Sequence, residues 1–119
     1  MIREIKIEKL EQDCLDLLSK TYIQLGQHNI EAEQKVIMAQ SLAEDLKRSY
    51  KNFYWKDVVE AFRIGLREPN ETFIHINVPT YIKWLRMHKE RIWNDIYKAE
   101  QLGHDLKNLP YYRKPKLLK

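Results

Sequence analysis

The residues best suited to chemistry with a ligand lie in the C-terminal third of the chain. Between Lys83 and Lys119 there are ten basic residues against four acidic ones: Glu90, Asp95, Glu100 and Asp105. Lys83, Arg86, Lys89, Arg91 and Lys98 precede Gly103, and Lys107, Arg113, Lys114, Lys116 and Lys119 follow it. Trp84, Trp93, Tyr97, Tyr111 and Tyr112 are interleaved with them. Cationic side chains neutralise phosphates, and aromatic faces stack on unpaired bases. The run Tyr111-Tyr112-Arg113-Lys114-Pro115-Lys116 brings both chemistries together. Lys83, Arg86, Lys89, Lys107, Arg113, Lys114 and Lys116 are therefore the expected phosphate contacts, with Tyr111 and Tyr112 as stacking residues. Trp93 and Tyr97 are the expected docking residues for a protein partner or a second copy, since exposed aromatics mark such surfaces. Plainer uses exist for the same residues. Trp84 and Trp93 fit the packing of an ordinary helix, and a basic tail can meet an acidic protein or serve solubility alone.

Elsewhere the chemistry is sparse, and no enzymatic activity is expected. Ser19, Ser41 and Ser49 sit in charged, helical surroundings, and none lies on a glycine-rich elbow. Three isolated glycines cannot build a phosphate-cradling loop. His28, His75, His88 and His104 lack metal-ligand spacing, although His88 and His104 could share a side as surface groups. No metal or other cofactor is expected. Cys14 lies on an apolar stripe between Asp13 and Asp16, where acids raise a thiol pKa, so it reads as a small buried hydrophobe. The pairs Glu44/Asp45 and Glu31/Glu33 read as solvated helix faces. Arg63 and Arg67 share a helix face and could hold an anion, but pairing with Glu60 or Glu71 is the simpler use.

The elements that must position these residues follow from composition and periodicity. A chain of 119 residues with three glycines and four prolines has too few turn residues for a sheet-rich fold. Leu10, Cys14, Leu17, Leu18 and Leu25 predict a helix over about 4–25, ended by Gly26 as a left-handed cap. Val36, Ala39, Ala43, Leu46 and Tyr50, widened by Ile37 and Leu42, predict a second helix from Asn29 or Ile30 to about Tyr50. Val58, Val59, Phe62 and Leu66 predict a third over about 55–66. Thr72 to Ile76 reads as an extended lead-in to a long fourth helix over about 78–102, capped by Asn77 with Pro79 in its first turn. Tyr81, Ile82, Leu85, Ile92, Ile96 and Ala99 form its apolar side.

The expectation is an all-α bundle of about four helices over residues 1–103, its first three helices near-antiparallel neighbours, with a flexible basic tail over 104–119. The segment 1–103 carries 16 basic and 16 acidic residues, so the whole net charge of +4 comes from the tail. The lone cysteine excludes an internal disulfide. No secretory h-region and no long apolar stretch are seen, so the expected compartment is the cytoplasm, without membrane contact.

Two stretches also carry a resemblance. Asp57 to Arg67 (DVVEAFRIGLR) and Ile76 to Leu85 (INVPTYIKWL) resemble small proteins carried by bacterial prophages and mobile elements. Those have a helix of the type acid-x-x-x-Ala-Phe-x-x-Gly, followed by an Asn-x-x-Thr-(Tyr/Phe)-x-x-Trp-Leu helix start. The similarity covers about residues 40–95. A weaker similarity is to phage helicase-loader proteins, from which this chain departs in its long last helix, its basic tail and Arg67-Glu68-Pro69-Asn70 where glycine is usual. The resemblance implies an accessory protein for DNA transactions, with DNA or a replication protein as partner. It carries over no binding residue. The alternative is an interaction module, self-associating or not, that never touches nucleic acid.

Overall fold

The computed structural model describes residues 1–27, 30–67, 76–102 and 111, and every element in it is helical. A short 3₁₀ turn, Ile2–Glu4, precedes α1 (Ile7–Gln24), α2 (Ala32–Ser49), α3 (Trp55–Leu66) and α4 (Val78–Leu102). Residues 72–75 of the expected lead-in lie outside the described residues; Ile76 at its end is buried.

Local chemistry sets the ends of the helices. Gly26 takes φ +72°, the left-handed region open to glycine. Its N–H donates to the Ile23 carbonyl at 3.0 Å, and the Gln27 N–H donates to the Tyr22 carbonyl at 2.9 Å. These are the two bonds of a Schellman close, and they satisfy carbonyls that the helix end leaves open. At the start of α3 the Asp57 carboxylate accepts the Tyr54 N–H at 2.7 Å. At the start of α4 the Asn77 side chain accepts the Thr80 N–H at 2.9 Å, the bond expected of an N-cap.

Two helical hairpins make the bundle. α1 packs along α2, and α3 along α4, while α2 and α3 scarcely touch. This corrects the expectation of three successive antiparallel neighbours. The α2–α3 connection is tied instead to the N-terminus, where Ile2 N–H donates to Phe53 O at 2.7 Å and Arg3 N–H donates to Lys51 O at 3.1 Å. Those bonds explain why α1 begins at Ile7 and not near Glu4. Lys47 clamps the same turn, donating to the carbonyls of Arg3 and Ile5. The hairpins meet where the Tyr81 hydroxyl of α4 donates to the Asp45 carboxylate of α2 at 2.6 Å. Leu10, Cys14, Leu18, Leu42, Leu46, Val58, Phe62, Tyr81, Leu85 and Ile92 fill the core between them.

Three residues assigned inward are exposed: Val36, Ile37 and Val59. At 3.6 residues per turn Ile37 lies about 160° round α2 from Ala39, and Val36 and Val59 sit at the edges of their buried arcs. Leu17, Leu25, Leu66, Ile82 and Ala99 are only partly buried. Trp84, at 5% exposure, belongs to the core, edge-on to Phe62 with ring centroids 5.3 Å apart.

Cys14 and Tyr81 give this core a pH dependence. Burial, then the charges of Asp13 and Glu11, push the Cys14 thiol up to about 12. Burial and the bond to Asp45 push Tyr81 up as well. A raised pKa means that the folded chain keeps a proton the unfolded chain releases. The stabilisation is full below the ordinary thiol value of 9.0 and is lost as pH climbs toward 12. Thermal unfolding followed by circular dichroism should show a lower midpoint at pH 10 than at pH 7. An unchanged midpoint would contradict this.

Candidate nucleic-acid interface

The last helix sorts its side chains by angle. Tyr81, Leu85, His88, Ile92, Asp95 and Ile96 face the body and are buried. Arg86, Lys89, Trp93 and Tyr97 follow at three- and four-residue steps, so they fall within about 80° of one another on the outer side. Arg86 and Lys89 are exposed, Trp93 is 49% exposed and Tyr97 62%. Lys83 is exposed one turn before Arg86. The structure thus places the expected phosphate contacts of α4 and the expected docking aromatics on one continuous stripe.

Residues from a distant part of the chain complete it. The end of α2 and the turn after it bring Arg48 and Lys51 to the same surface, and with Lys89 and Trp93 they line a pocket of about 230 Å³. Tyr50 and Phe53, both buried, form its apolar side, and among the described residues no acidic one lines it. The Lys89 ammonium sits 5.8 Å from the centre of the Tyr50 ring. Burial pushes the Tyr50 hydroxyl up; the charge of Arg86 lowers it and that of Asp45 raises it further.

Some other cations of the body are engaged. Lys9 pairs with Asp13 at 2.8 Å, Arg63 with Glu60, and Lys47 is held by two carbonyls. The Glu60–Arg63 pair is the simpler use expected for Arg63, and Arg67 donates to the Arg63 carbonyl at 3.1 Å. Arg48, Lys51, Arg86 and Lys89 make no ion pair among the described residues, as is also true of Lys6, Lys20 and Lys98; what sets Arg48, Lys51 and Lys89 apart is that they line one pocket. Arg48 also lies in the last turn of α2, where a cation complements the helix dipole. That use leaves its charge exposed to an anion.

A polar cluster that sequence reasoning missed lies on another side of α4. His88, grouped with His104 as a surface group, is fully buried. The Arg91 guanidinium donates to its Nδ1, with Nε of Arg91 at 3.2 Å. Nε2 faces Asp57 Oδ1 at 3.7 Å. Phe53 and Tyr111 both stand edge-on to the imidazole, with centroids 6.0 and 4.8 Å away. The Tyr111 N–H donates to the Asp95 carboxylate at 2.8 Å, and Arg91 lies over the Tyr111 ring. Tyr111, expected to stack on a base, is instead packed against the body. His88, Arg91 and Asp95 recur at three- and four-residue steps between Leu85 and Ile96, and that spacing was the available signal.

Lys107, Tyr112, Arg113, Lys114 and Lys116 lie outside the described residues. Among the described residues no helix is long and apolar enough to cross a membrane. Comparison with known proteins brought no identification: no family model, no curated protein and no solved structure matches the chain.

Proposed function

We propose that the protein is an accessory module for DNA transactions that binds nucleic acid through the basic outer face of α4 and the end of α2. One observation carries this: Arg48, Lys51 and Lys89, from the end of α2, the turn after it and α4, line one pocket with no acidic residue in its lining among the described residues. Each exposed cation at a phosphate releases condensed counterions, which is the dominant source of sequence-independent affinity. The basic residues after Gly103 extend the same chemistry along the sequence. The resemblance to prophage-borne proteins points to the same setting, the cytoplasm included.

A second reading has its own support. Trp93 and Tyr97 are large, exposed and one turn apart, as in a surface that docks a replication protein or a second copy. Sedimentation velocity separates the two. With a labelled DNA oligonucleotide at low salt the chain should sediment as a complex that dissolves at high salt. A chain that self-associates without DNA, protects Trp93 from a fluorescence quencher and leaves the oligonucleotide free would favour the second.

A further inference from the structure

We infer that the pocket between the end of α2 and α4 receives one unpaired nucleotide of a single strand, its base against Trp93 and its phosphates on Lys89, Arg48 and Lys51. This rests on the nucleic-acid reading and adds to it the form of the ligand.

The shape of the pocket selects the form. At about 230 Å³ it is smaller than the roughly 300–1,000 Å³ clefts that enclose drug-sized molecules, so it suits one planar ring with its sugar and phosphate outside. One wall is the half-exposed indole of Trp93, and the buried rings of Tyr50 and Phe53 close the inner side. The cations stand on two elements, with Lys89 from α4 and Arg48 and Lys51 from the end of α2 and the turn after it. That is the layout of a single-strand platform: an aromatic face for the base and a charged border for the backbone. In a duplex the base faces are covered by their neighbours, so only the cations would be used. Stacking needs no particular base, so no strong sequence preference is expected.

The test is fluorescence anisotropy on the full chain at low salt. The probes are labelled oligodeoxyadenylate, its duplex with oligothymidylate, and adenosine monophosphate as competitor. Wild type should bind the single strand about tenfold more tightly than the duplex, and Trp93→Ala should remove that preference. Trp93→Phe, which keeps an aromatic face, should restore most of it. Lys89→Gln should weaken both ligands alike. Equal affinity for both forms in wild type, or a preference that survives Trp93→Ala, overturns the inference and leaves the nucleic-acid reading standing. Displacement of the strand by equimolar monophosphate overturns the strand as ligand in favour of a free nucleotide. Binding to neither DNA form overturns both. Trp93 is half-exposed, so these variants should keep the wild-type circular dichroism spectrum.

Discussion

Replacing Arg48, Lys51 and Lys89 together with glutamine should weaken binding to single-stranded DNA on the order of a hundredfold near 0.1 M salt. Each phosphate contact on a single strand contributes a slope of about 0.7 in log K against log salt, so three contacts leave a factor of about 10² at that concentration. The slope itself should fall by roughly two. Stability should change little, because all three side chains are exposed and none is in an ion pair among the described residues. A control triple at Lys6, Lys20 and Lys56, also exposed but outside the pocket lining, removes the same formal charge. If the two triples weaken binding equally, only net charge matters and the pocket has no special part.

The largest effect on the fold should come from Gly65→Ala. A Cβ at this position would lie 2.4 Å from Cδ2 and Cε2 of the Trp84 indole, far inside van der Waals contact. Two terms compete. Alanine in a helix interior is favoured over glycine by about 1 kcal/mol. Overpacking a filled core costs about 1–3 kcal/mol, and here the obstacle is a rigid buried ring instead of the end of a flexible side chain. The steric term should win, lowering the urea midpoint with little change in slope and shifting tryptophan emission as the indole is displaced. A variant more stable than wild type would mean that α3 and α4 stand further apart at Gly65 than described. This close approach also locates the outer stripe, since the face of α4 against Gly65 and Phe62 decides which of its side chains are left outward.

How much of this was legible beforehand depended on how local each feature is. The bounds of α3 and α4 agree with the expectation because Asn77, Pro79 and the apolar steps are signals within single turns. The beginning of α1 was misjudged because its first residues answer to backbone groups some fifty positions away, at Lys51 and Phe53. The same division runs through the site. Lys83, Arg86 and Lys89 stood out as a basic run on one helix. Arg48 and Lys51 did not, since only the packing of α2 against α4 brings them beside Lys89. Trp84 and Trp93 are alike as residue types, and it is the glycine opposite Trp84 that makes room for one indole while the other stays outside. Tyr111 was read from its basic neighbours, whereas its position is set by a buried histidine and a buried aspartate.

The most direct test of the proposed function is the dependence of single-strand affinity on salt for the unmodified chain. Anisotropy titrations of a labelled single strand across a series of sodium chloride concentrations give log K against log salt. Arg48, Lys51 and Lys89 predict a straight line with a slope of about −2 or steeper, since each contact contributes about 0.7. A slope near zero, or no binding at the lowest salt, would contradict the proposal and leave Trp93 and Tyr97 as the docking surface for a protein partner.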